Sequence, residues 1–214
     1  MPRVAIPLLL FLKLGLMGEC TGITFIDSTR IPVCENKRQS RNRVFKGYAQ
    51  KGKSTMGWYY GFKLHLLCNE RGELLNFALT QANVDDRNPK VFNDLTKDLF
   101  GKLYADKGYI SQSLFASLFD RGVHIVTGIR TNMKNRLMDV HDKIMLRKRS
   151  IIETINDMLK NVAQIVHTRH RSISNFIVNL LAGIAAYAFY DTKPSINMEF
   201  EREEKQGVKQ LTLF

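Results

Sequence analysis

The chain has 214 residues, a formal net charge of +12 and a sequence pI near 9.7. Hydrophobic residues make up 44% of it, enough for one domain with a substantial core and too many for a disordered chain. The charge favours a polyanionic partner, and three cysteines without a C-x-x-C pair argue against a disulfide framework or a cysteine zinc site and fit a reducing cytoplasm.

In chain order, PRVAIPLLLFLKLGLMG begins as a signal peptide would, with an arginine and an apolar run. Lys13 interrupts the run, no A-x-A site follows, and the run is too short for a bilayer. Residues 1–22 therefore read as a core-facing segment, or as the remnant of a longer N-terminal region. ITFID, 23–27, reads as a short buried strand ending in an acid. Cations then dominate from Arg30 to Lys63, with Glu35 the one acid among them, and the polar stretch 35–57 reads as an unpacked loop that orders on a partner.

Within that stretch, GYAQKGKS at 47–54 has the spacing of a phosphate-cradling loop. Such a loop needs a strand before it and a helix after it. Here SRNRVFK precedes and the strand-like TMGWYYGF follows, so ATP binding is not supported. Lys46, Lys51 and Lys53 read instead as contacts to a nucleic-acid backbone, with an ordinary solvated loop as the plain alternative.

GWYYGFKLHLLCN and LLNFALTQAN form a hairpin pattern over 57–69 and 74–83. Trp58, Tyr59 and Tyr60 are expected in its core rather than stacked on bases, and His65 is expected to be structural. Asp85 or Asp86 is positioned to cap a helix over 89–100. KLYAD at 102–106 is a second strand ending in an acid, followed by a helix over 111–122 closed by Gly122, and by a strand over 123–129 that should pair in parallel. Residues 130–149 are basic again. A helix is expected over 147–165 and an apolar one over 174–190, with a loose tail beyond. His167 and His170 lack an evident third ligand, which argues against zinc. The pattern predicts an α/β fold: a mixed sheet flanked by helices, spanning 23–192, with a tail over 193–214.

Asp27 and Asp106 both end apolar strands, and strand ends form the rims where sites collect in α/β proteins. Glu153 sits in a helix between cations. Three carboxylates on one spot repel without a cation, and oxygen ligands of this kind suit Mg²⁺ or Mn²⁺. Two such ions could activate an attacking oxygen and stabilise a leaving oxygen at a phosphodiester. Each acid also has an ordinary reading: a turn cap at Asp27, a pair with Lys107 at Asp106, and an i,i+4 pair with Arg149 at Glu153. Arg149, Glu153 and Lys160 share one helix face.

At FIDST, ADKGY and RKRSIIETINDMLKN the chain resembles bacterial insertion-sequence transposases, and more narrowly the 982 family of insertion sequences. The likeness runs over about residues 2–195 and includes CTGITFIDSTRIPVC, LTQANVDDRNP and RHRSISNFIVNLLAG. It implies an RNase H-like core and a DDE triad of Asp27, Asp106 and Glu153 holding two Mg²⁺, with Mn²⁺ as a substitute. It also implies cleavage of DNA at the element's ends, then strand transfer by direct transesterification, so Tyr109 need not be a nucleophile. Arg149, Glu153 and Lys160 match an R-x3-E-x6-K signature whose customary tyrosine is Leu146 here. Lys46, Lys51, Lys53, Arg147, Lys148, Arg149 and Lys160 are the expected DNA contacts. A homodimer on DNA is expected, in the bacterial cytoplasm at the nucleoid, without ATP or membrane. Family members usually carry a longer N-terminal region, so the alternative is a truncated, inactive DNA-binding remnant.

Overall fold

The structure is a computed structural model that describes residues 2–129, 137–167 and 169–196. A six-stranded sheet forms its centre. The strands are β1 (Ile23–Cys34), β2 (Gln50–Ser54), β3 (Gly57–Asn69), β4 (Leu74–Gln81), β5 (Gly101–Ala105) and β6 (Val123–Thr127). Their order is β4-β3-β1-β5-β6, and β2 extends the sheet by pairing with the first half of β3. Only β3 runs against its neighbours, whereas β1, β5 and β6 are mutually parallel. This order and these directions are those of an RNase H-like sheet, as the resemblance implies.

Alternation along the strands sends side chains into two cores. Phe25 and Tyr104 face one side, with the helices α4 (Val140–Lys148), α5 (Ser150–Asn161) and α6 (Ile173–Ala188). Ile26, Leu103 and Ala105 face the other, with α2 (Pro89–Leu95) and α3 (Gln112–Phe119). A polar anchor ties α4 to β5. Asp142 is buried, and it accepts hydrogen bonds from Tyr104 Oη at 2.8 Å and Lys102 Nζ at 2.7 Å.

Several sequence expectations change. β1 runs to Cys34 because its β3 pairing continues from Thr24–Asn69 to Cys34–Tyr60, so Asp27 lies within a twelve-residue strand rather than at its end. The stretch 35–57 is packed, since Phe45 and Ala49 are buried and Tyr60 Oη donates to the Phe45 carbonyl. Within it, GYAQKGKS forms a turn and the edge strand β2, with no helix following. Asn88, not Asp85 or Asp86, caps α2 by accepting from the Lys90 and Val91 N–H groups. The two aspartates are drawn instead to Arg87 and Lys63. The helix expected over 147–165 is divided, with Arg149 at the junction of α4 and α5. The basic positions Arg130, Lys134 and Arg136, and tail residues 197–214, lie outside the described residues.

The first segment forms α1 (Pro2–Phe11) and a π-helical turn, Leu12–Leu16, against α6. Leu12 is fully buried, while Ile6, Phe11 and Leu14 stay exposed. The other end closes over the β3–β4 turn. Gly72 there has φ +74° and lies so close to the Pro194 carbonyl that a Cβ would collide with it, and Tyr187 Oη donates to the Gly72 carbonyl at 2.7 Å. Leu12→Ala should therefore lower stability by about 2–5 kcal/mol, read from urea unfolding. An unchanged midpoint would mean that the first segment is detached from the core.

Candidate active site

The β1–β5 register pairs Ile23 with Lys102 and Phe25 with Tyr104. Continued by two places, it brings Asp27 beside Asp106, the residue immediately after β5. Glu153 comes from the first turn of α5, which packs across β1. All three carboxylates line one cleft of about 910 Å³, with Lys53, Lys63 and Lys160 also in its walls. The three acids thus share the lining of one cleft, and Asp27 arrives there by register rather than at a strand end.

Arg149 organises the acids. Its Nη2 lies 2.7 Å from Glu153 Oε1 and its Nη1 lies 3.6 Å from Asp27 Oδ1, so one guanidinium bridges two carboxylates. The i,i+4 pair and the convergence of the acids, posed as alternatives in the sequence, therefore coexist. Asp27 also accepts from Asn156 Nδ2 at 2.9 Å, and the neighbouring Ser28 N–H favours its ionised form. Among the described residues no group of three His, Cys, Asp or Glu side chains stands close enough to hold a metal ion in this arrangement. The donor set nonetheless fits a hard divalent cation. It is all oxygen, it lines one cleft, and the buried Asn156 Oδ1 has no hydrogen-bond partner.

The remaining expected residues separate. Lys160 lines the cleft, and burial lowers its pKa, with Arg30 acting in the same direction. Lys53 lines the cleft and an adjoining cavity, and Lys51 lines only the latter. Lys46, Arg147 and Lys148 are exposed and line neither. Tyr109 is buried at the cleft wall. Burial, then Asp86 and Asp27, hold its phenol well above the ordinary value, so it stays protonated. His65 is buried, its Nε2 2.9 Å from Thr80 Oγ1.

Sequence reasoning overlooked Asn156 and Asp157. Their signal was present: Glu153, Asn156, Asp157 and Lys160 follow i, i+3, i+4, i+7, a polar stripe along a helix whose other face is buried.

Burial pushes the Asp27 carboxyl up from 3.8 to about 6, with Arg149 opposing and Glu153 and Asp106 adding to the shift. The ionised form is the disfavoured one. The folded chain therefore holds a proton that the unfolded chain releases between these two values. The cost to stability is absent below pH 3.8, grows as pH rises, and is complete above about 6. In metal-free buffer, Asp27→Asn should unfold at higher urea than the parent above that range, by about 2 kcal/mol, with the gap closing in acid. A gap independent of pH would contradict this electrostatic account.

A sequence profile described as a transposase DDE domain matches residues 17–173. No curated protein matches the chain in sequence. Among solved structures, the piggyBac transposase synaptic complex with hairpin DNA is 10% identical with a TM-score of 0.49, over 80% of this chain and 47% of that one. The intasome of simian T-cell lymphotropic virus, in complex with a PP2A regulatory subunit, is 12% identical with a TM-score of 0.44, over 78% and 48%. The chain spans about half the length of these two. With the profile covering most of its length, the chain belongs to the transposase DDE domain family.

Proposed function

We propose that the chain is the catalytic core of a DNA transposase of the insertion-sequence 982 type, cutting DNA at element ends and joining it to target DNA. The observation that supports this reading most is the cleft that Asp27, Asp106 and Glu153 line together with Lys53, Lys63 and Lys160. These three carboxylates are the residues that would hold two Mg²⁺ ions, or Mn²⁺ in their stead. When bound, the ions supply charge stabilisation at a phosphodiester and activation of its attacking oxygen.

The chain's own groups account for the rest. Lys53 and Lys160 attract the strand's phosphates, and Lys46, Lys51, Arg147 and Lys148 extend that field over the surface. Arg149 holds Glu153 and Asp27 together before DNA arrives, and is then available to a phosphate oxygen, which a guanidinium binds in bidentate fashion. Tyr109, kept as a neutral phenol, is a poor nucleophile. In this reading water makes the first cut and the freed 3′-hydroxyl attacks target DNA directly, with no covalent protein–DNA intermediate, and the protonated Tyr109 accords with it. Two ends joined together call for a homodimer on DNA, and the reading implies a bacterial protein acting at the nucleoid without ATP. Among the described residues no helix is long and apolar enough to cross a membrane.

Supercoiled plasmid carrying the element's ends tests this in Mn²⁺. The parent chain should nick it, and Asp106→Asn should slow nicking at least ~10³-fold while binding the same DNA. Equal nicking by both would remove Asp106 from the chemistry. Binding without nicking by either would leave a DNA-binding remnant.

A further inference from the structure

Trp58 is the only tryptophan of the chain. Its neighbours Tyr59 and Tyr60 are 5% and 6% exposed, yet Trp58 is 54% exposed, which corrects the expectation that all three enter the hairpin core. The exposed ring is held on a paired backbone. Trp58 sits opposite Lys53 in the β2–β3 ladder, and Asn36 Nδ2 donates to its carbonyl at 2.7 Å. Lys51 and Lys53, two places apart on β2, hold their ammonium groups 5.1 and 5.9 Å from the indole centroid. Among the described residues, neither lysine forms an ion pair.

These three side chains line a cavity of about 440 Å³. Its other cations, Lys63 and Arg87, are already matched by Asp86 and Asp85. The cavity shares Lys53, Lys63, Asp86 and Gly108 with the carboxylate cleft, so a strand lying in one passes directly into the other.

We propose that Trp58, Lys51 and Lys53 form a stacking subsite for an unpaired DNA base beside the carboxylate cleft. This rests on the DNA-transposase reading and adds a ligand contact to it. Inside a duplex a base is covered above and below, so an indole face takes a base that has left the helix, and the end pair of a blunt duplex offers one face but no phosphates beyond it for the two lysines. A cation–π contact at an exposed site is weak, so the two ammonium groups are free to swing from the ring to the phosphates flanking that base. A protein partner would bury the ring as well, but it would need an acid placed against each of the two lysines. A nucleotide satisfies ring and cations together.

The single tryptophan makes the test direct. A labelled duplex with a short unpaired 3′ tail is compared with the same duplex blunt-ended, in EDTA. Label anisotropy reports binding and tryptophan emission reports the ring. The tailed duplex should quench Trp58 and bind about tenfold tighter than the blunt one. Trp58→Ala should erase that preference and Trp58→Phe should keep most of it, with circular dichroism confirming the fold. Equal binding of both duplexes with unchanged Trp58 emission would overturn the subsite and leave the DNA reading standing. No binding of either duplex would overturn both.

Discussion

Carboxylates brought together at the rim of a sheet need a positive charge, and in this chain a guanidinium supplies it. Arg149 reaches Glu153 on its own side of the α4–α5 junction and Asp27 across from it. Repulsion from Glu153 and Asp106 adds to the cost of burying Asp27, whose carboxyl is pushed up to about 6, and the charge of Arg149 is what opposes it most. The break between α4 and α5 has a clear consequence here. It holds Arg149 at a helix junction, with its side chain over the acids rather than out in solvent.

The sheet makes this convergence possible. Parallel pairing of β1 with β5 stops at Phe25–Tyr104, so the next residues of both strands emerge together at one rim. The same strands feed buried side chains to both cores, so Asp27 and Asp106 are held by strands that are packed on both faces. A site on such a base keeps its geometry while the cations around it exchange partners. Arg149 and the lysines of β2 are held by contacts that a polyanion can replace, whereas Asp27 is fixed by its strand and by Asn156.

Much of this was legible in the sequence, and the misses have physical causes. ITFID and KLYAD announced their acids because apolar runs end there, yet the polar half of β1 was hidden: STRIPVC lacks the apolar run, and its pairing with β3 is a long-range matter. The stretch 35–57 looked like a loop by composition, but Phe45 and Ala49 fasten it to the core, and two buried residues outweigh many charges. GYAQKGKS has the spacing of a phosphate loop, but the strand-like TMGWYYGF after it already spoke for the hairpin that forms. In GWYY no local rule separates an exposed indole from two buried phenols, because register and twist decide which ring turns outward. Asn156 was readable as part of a helical stripe but does not attract notice as a carboxylate does.

The central claim is that the cleft accepts divalent cations where Arg149 now balances the charge. Mn²⁺ titration of the DNA-free chain, followed by the loss of the free ion's paramagnetic resonance signal, tests it most directly. The account predicts that the parent chain takes up Mn²⁺ and that Asp27→Asn loses this uptake while remaining folded. Equal uptake by both proteins, or none by the parent, would contradict it.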